Sequence, residues 1–195
     1  MAQKRKFEFM KLTSRVLFGF AGVLIGLNFH SVAGETNAPS VSAERIGTYD
    51  SRVIAYANFV TEAHLRKLNA EIQAARAAQA AGQTNRCEAL RAALKEEQDQ
   101  GHLQVFSTAP VDDILASMPA RIEAVKKEAV VTRLVSKWDV KTLKELKSAE
   151  QVEVTELLLR EFTLDEKQQK IVADLRAKPP VPLEKAKELM RGGKL

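Results

Sequence analysis

Two apolar stripes at helical spacing, separated by a five-residue break, constrain this chain more than any other feature. Val53, Ala57, Val60, His64, Leu68 and Ile72 recur at intervals of four and three, with Ile54, Leu65 and Ala75 beside them. That period belongs to one face of an amphipathic helix. Alanines carry it to about Ala81, so one long helix is expected. The stretch "AGQTN" at 81–85 ends it: Gly82 suits a helix C-terminus, and Thr84 or Asn85 can cap the next helix. Cys87, Leu90 and Leu94 then open a second stripe that runs to about Gln100. Helices joined by so short a break form an antiparallel hairpin. Narrow, Ala-rich stripes let the two approach as a short coiled coil.

The flanks of the hairpin read differently. Arg45 to Tyr49 alternates, with Ile46 and Thr48 on one side and Gly47 and Tyr49 on the other, so a short strand is expected there, weakened by Gly47. Asp50-Ser51-Arg52 follows and is either a chemical triplet or a joint. As a joint, Asp50 caps the long helix, a contribution of about 1 kcal/mol. Arg52 is then expected to point outward in the first turn, where a cation gains nothing from the helix dipole. After the hairpin, 101–109 is irregular. Pro110 is expected in the first turn of a third helix bearing Val111, Ile114, Leu115, Met118, Ile122 and Val125, which Pro119 kinks or restarts. The β-branched run "AVVTRLVSKW" at 129–138 is the strongest strand signal. A polar connection, helical or looped, covers 141–150, and Val152-Glu153-Val154 is a very short strand. Thr155 is placed to cap the run Leu157, Leu158, Leu159 and Phe162. Thr163 with Glu166 forms the pattern of a capping box for a helix through Ile171, Val172 and Leu175. "KPPVP" ends that helix, and 183–190 makes a last short one stopped by Gly192-Gly193. The expected class is α+β, mostly α: a short helical hairpin on a small β-containing body.

The first 33 residues carry a targeting pattern. Lys4, Arg5, Lys6 and Lys11 form a basic segment, followed by an apolar run of 14 residues at 16–29 and by Ser31-Val32-Ala33. This is the layout of a secretory signal peptide, and the run is short against the roughly 20 residues of a membrane span. An uncleaved anchor is the alternative. The leader also distorts the charge. The chain has 30 Lys+Arg and 25 Asp+Glu, but 1–33 holds five of the bases and one acid, leaving 25 and 24 from Gly34 onward. A near-neutral mature chain gives no sign of a nucleic-acid partner.

Catalytic patterns are lacking. There is no Gly-rich phosphate loop, no G-x-S-x-G and no H-E-x-x-H. Cys87 has no Cys partner for a disulfide or a metal site, and its line with Leu90 and Leu94 gives it a packing role on a helix face. His64 lies on the first apolar stripe and is expected packed or half-buried, while His102 lies on a different segment. The adjacent acids Glu96-Glu97 and Asp112-Asp113 diverge around a helix and do not converge on one substrate. Trp138 is expected as a core or rim anchor, with Asp139 capping the next turn. No catalytic, cofactor-binding or metal-binding residue is assigned, and the chain is expected not to be an enzyme.

The order of these pieces resembles the Skp/OmpH-like periplasmic chaperones. "RIGTYDSRVIAYA" is similar to that family's first strand running into an ascending helix, and "AVVTRLVSKWDV" to its return strand. Glu153-Val154-Thr155 before "ELLLREF" is similar to its closing Asp-Ile-Thr motif. The resemblance covers an OmpH-like strand, hairpin and strand domain (45–162); the signal peptide (1–33), a small and polar, flexible N-terminus (34–44) and a C-terminal helical extension (163–195) lie outside it. It implies a periplasmic holdase for unfolded outer-membrane proteins, assembled as a homo-oligomer, a trimer by resemblance. No cofactor, nucleic acid or stable membrane span after leader cleavage is expected. A structural or scaffold component of the cell envelope is the other reading.

Overall fold

The computed structural model describes residues 44–193. The expected leader, and all but the last residue of the polar stretch at 34–44, lie outside the described residues. Arg45–Tyr49 forms the expected strand, β1, and the chain passes through Asp50 directly into α1 (Ser51–Phe59). The hairpin is α2 (Glu62–Ala80) and α3 (Thr84–Phe106), packed along each other. Two short helices follow, α4 (Asp112–Ala116) and α5 (Pro119–Ala129), then β2 (Arg133–Ser136), α6 (Val140–Glu145) and β3 (Glu150–Glu153). α7 (Thr155–Leu159), α8 (Glu166–Ala177) and α9 (Leu183–Arg191) complete the chain. The class is α+β and mostly α.

All three strands are parallel, in the order β2-β1-β3. β1 is therefore central, and its residues from Ile46 to Tyr49 are buried on both faces, as parallel sheets require. Ile46 pairs with Arg133 on one side and Gln151 on the other. Gly47 is the tight point. A Cβ there would lie 2.7 Å from Leu134 Cδ2 and 3.1 Å from Val154 Cγ2. The glycine that weakens the strand signal lets Leu134 of β2 and Val154, just after β3, close over β1. One core joins Tyr49, Ile54 and Ala55 to Val105, Ile114, Val125 and Leu158.

The single long helix expected from Val53 to Ala81 is two helices, α1 and α2. They part at Val60–Thr61 because Thr61 adopts extended dihedrals and its Oγ1 accepts the His64 amide at 3.2 Å. The same hydroxyl donates to the Asn58 carbonyl at 2.8 Å, so one side chain serves both helix ends. The second helix, expected to stop near Gln100, continues to Phe106. Gly101 lies inside it, where a Cβ would meet Phe59 Cζ at 2.8 Å, so the glycine seats that ring against α3. Pro119 restarts the third stripe as the first residue of α5. The helix there opens at Asp112, two residues past Pro110.

The strand expected over 129–138 shrinks to Arg133–Ser136. Ala129 ends α5, and Val130 takes a left-handed conformation with φ 53° and ψ 53°. The amide of Val131 donates to the Lys126 carbonyl at 2.9 Å and that of Val130 to Lys127 at 3.3 Å. This is a Schellman motif built on valine in place of glycine. Thr155 does not cap its helix; it is the first helical residue of α7, and its hydroxyl is used elsewhere. The capping box lies two residues beyond Thr163-Glu166: Asp165 accepts the Gln168 amide at 2.8 Å and its own amide donates to Gln168 Oε1 at 2.9 Å. Asp is the better cap than Thr.

The region after Phe162 folds back. α8 packs on α1 and α9 on α3. Between them Val181 bridges Ser107, donating to the Phe106 carbonyl and accepting from the Thr108 amide, both at 3.0 Å. A left-handed β-branched residue costs about 1–2 kcal/mol, and Val130 is 66% exposed, so its side chain returns little by packing. Val130→Gly is expected to stabilise the protein by about 1 kcal/mol after the extra chain entropy of glycine is allowed for. A higher urea midpoint at unchanged slope is the measurement that checks it.

Candidate functional site

The carboxyl ends of the three parallel strands bring together Asp50 after β1, Lys137 and Trp138 after β2, and Thr155 after β3. Ligands in parallel sheets gather at such ends, so this cluster is the first place where Asp50-Ser51-Arg52 can act as chemistry. Asp50 is fully buried. Its Oδ1 accepts the Arg52 amide at 3.2 Å, which is the expected N-cap. The carboxylate does more than cap. It accepts Arg52 Nη2 at 3.1 Å and Nε at 3.3 Å, Trp138 Nε1 at 2.8 Å and Lys137 Nζ at 3.0 Å. Its backbone amide donates to Thr155 Oγ1 at 2.9 Å, and Thr155 in turn donates to Glu153.

Arg52 does not point outward. Its residue is 2% exposed, it forks onto Asp50, and Nη1 donates to the Lys178 carbonyl at 2.8 Å. The guanidinium stands 4.9 Å from the centre of the Trp138 ring and Lys137 Nζ 5.1 Å from it, so the indole takes two cations. Burial pushes the Asp50 carboxyl up, but the hydrogen bonds from Arg52, Trp138 and Lys137, with the Arg52 charge, outweigh it and hold it below the usual carboxylate range. Ser51 is buried and its Oγ accepts from Ser136 at 3.2 Å. Among the described residues the buried side-chain polar atom left without a partner is Arg121 Nε, which lies outside this cluster. The cluster closes on itself and reads as a joint. Trp138 anchors it, and Asp139 caps α6 by accepting the Thr142 amide at 3.1 Å.

An open feature lies at the root of the hairpin: an apolar groove of about 670 Å³ between α2 and α3, with Tyr56 and Phe59 of α1 at its end. Leu65, Leu68 and Ile72 line one wall and Leu94, Val105 and Phe106 the other. Leu65 and Phe106 are 46% and 47% exposed, large apolar side chains presented to solvent. His64 is half-buried, as expected, with its ring edge-on to Phe59 at 4.8 Å. His102 lies 6.2 Å from Phe106. The two histidines stand on separate segments of sequence but line the same groove. Hairpin arithmetic contains the signal: a turn closing at 81–83 sets residue 64 opposite roughly residue 100, from the antiparallel pairing of such helices. Lys67 Nζ fixes that pairing by bonding Glu97 at 2.7 Å.

Cys87 is buried and free between the helices. The pairs Glu96-Glu97 and Asp112-Asp113 do not join one site: Glu97 binds Lys67, while Asp113 accepts Gln104 at 2.8 Å and Gln100 at 3.0 Å. Among the described residues no three His, Cys, Asp or Glu side chains are grouped to hold a metal, and no helix is long and apolar enough to cross a membrane. The chain matches no protein-family model, no curated protein and no solved structure.

Removing one partner of a buried ion pair leaves the other uncompensated. Asp50→Ala is therefore expected to destabilise by about 3–5 kcal/mol, well above the cap value alone, because Arg52 stays buried. Chemical denaturation at neutral pH measures it. The folded carboxyl lies below its unfolded value of about 3.9, so its stabilisation is complete above about pH 4 and is lost as pH falls further. The stability gap between the native chain and Asp50→Asn, measured by urea unfolding, should be large at pH 7 and shrink toward pH 3.

Proposed function

We propose that this is an exported, non-enzymatic protein-binding protein of the periplasm, a holdase-type chaperone that shields apolar segments of unfolded outer-membrane proteins. The observation that carries the reading is the hairpin groove, whose apolar walls end in the exposed side chains of Leu65 and Phe106. Its volume falls in the range of roughly 300–1,000 Å³ common for binding sites. The signal-peptide pattern at 1–33 supports export, and the order of strand, hairpin and returning strands supports the Skp/OmpH-like resemblance, with a homo-oligomer as the working state. The closed Asp50 cluster serves as the rigid mount of the arm.

The purified protein is expected to suppress aggregation of an unfolded outer-membrane β-barrel protein at stoichiometric amounts, followed by light scattering. Unchanged aggregation, with a monomer on sizing, removes the reading. A fixed envelope scaffold is the second reading, favoured by the shortness of the arms. α2 and α3 have 19 and 23 residues, which at 1.5 Å per residue span roughly 30–35 Å and enclose little of an unfolded chain. In-cell cross-linking separates the two: the holdase gives many clients that change with folding stress, the scaffold one dominant partner that does not.

A further inference from the structure

The walls of the groove limit what it can hold. α2 and α3 run antiparallel and turn apolar residues to one side, Leu65, Leu68 and Ile72 at helical spacing on α2, Leu94 and Val105 on α3. From Leu94 to Val105 the stripe extends about 16 Å, or three turns. An extended peptide lying there would need partners for its backbone amides and carbonyls. Extended peptides obtain them from open strand edges. Both long walls of this groove are helices, whose backbone groups bond within themselves away from their ends. A helical occupant meets its own backbone needs and asks only for apolar contact. Two antiparallel helices with a shared apolar seam are also the seat on which a third helix completes a bundle.

The chain itself shows that α3 accepts such a helix on the adjoining flank. α9 packs there, with Ala186 fully buried, and Met190 shares a cleft with Leu94, Gln98 and His102. Those three α3 residues also line the groove, so the α3–α9 interface continues into it. The same cleft holds Arg91, which bonds the Gln79 amide oxygen at 2.6 Å. Among the described residues no carboxylate lies within ion-pair distance of Arg91, so its charge is available to an acidic residue at the end of an incoming helix.

We propose that the groove binds an amphipathic α-helix of another protein, about three turns long, with apolar residues at i, i+3 or i+4, and i+7, and an acid placed over Arg91. This rests on the protein-binding reading and narrows it, because the recognised element is a formed helix and not an extended unfolded segment.

The test uses a fluorescently labelled synthetic peptide with leucines at those positions and a terminal glutamate, titrated with the purified protein by anisotropy. A peptide of the same composition broken by a central proline is the control. Saturable binding of the helical peptide, at least tenfold tighter than the broken one, is expected. Leu65→Lys and Phe106→Lys change exposed positions, and circular dichroism verifies that each stays folded; together they should weaken binding at least tenfold. Arg91→Glu should weaken it several-fold and recover with a peptide carrying lysine in place of the glutamate. Ile171→Lys, an exposed apolar position on α8, should leave it unchanged. Equal binding of the two peptides, no saturable binding at millimolar peptide, or wild-type affinity in the groove variants overturns the proposal. If the helical peptide fails to bind while the unaltered protein still suppresses client aggregation, the helix proposal fails and the holdase reading stands. If neither peptide nor client binds, both fail.

Discussion

A carboxylate taken out of water must be answered in full, and Asp50 is answered from three other places in the chain. Arg52 forks onto it from the first turn of α1, Lys137 and Trp138 reach it from the end of β2, and Thr155 takes its amide from the start of α7. Arg52 then reaches onward to the carbonyl of Lys178. The strands these groups follow are short, and β2 and β3 have four residues each. Parallel strands so far apart in sequence gain few ladder bonds against the cost of closing long loops. The buried cluster supplies what the ladder lacks, because its bonds form together in one register. A buried pair of this kind is weak ground for net stability against apolar replacements. Its effect here is to fix which strand end meets which.

That register also sets the base of the arm. The segment that makes β1 is the one that makes α1, with a single residue between them, so the direction of α1 follows from the sheet. The C-terminal segment tied down by Arg52 continues through Val181, which bonds the chain just after α3. The end of α3 and the start of α1 are thus held by the same strap. Phe59, seated on Gly101, fills the space between α1 and α3. The root of the hairpin is thus braced by Phe59 within and by the Val181 bridge at the end of α3.

Much of this was legible in the chain because it rests on local periodicity. The hairpin, its turn at 81–83, the short strand at 45–49 and the restart at Pro119 follow from spacing, glycine and proline alone. Three departures from that local pattern share a physical cause: competition between local preferences settled by neighbours. Thr61 interrupts an unbroken apolar stripe because its hydroxyl caps one helix while bonding the end of the other. Val130 looks like a strand residue and becomes a left-handed helix stop. Gly101 opens a stretch that reads as irregular, yet it stays inside α3 and seats a ring. The Asp50 cap was readable, but the burial of Arg52 was not. The pairing of Arg52 with Asp50 is local, but the groups that bury the pair, Trp138 and the Lys178 carbonyl, lie far away in sequence. The parallel order of the strands is non-local in the same sense, and so is the meeting of His64 and His102.

The position of the groove follows from side-chain size. Toward the tip of the hairpin the contact residues are Ala75, Ala78 and Cys87, all nearly inaccessible, so α2 and α3 bury small groups against each other there. Interaxial distance depends on the side chains at the contact, and small ones let two helices close. Toward the root the stripe changes to Leu65, Leu68, Ile72 and Leu94, with Phe59 wedged onto Gly101. Large residues flanking a wedge cannot all turn into one seam. Those left over, Leu65 and Phe106 above all, stand at its rim. A hairpin closed by alanines at one end and opened by leucine and phenylalanine at the other presents its apolar surface at one place only along the seam. That place lies at the root of the arm, where Tyr56 and Phe59 of α1 close its end.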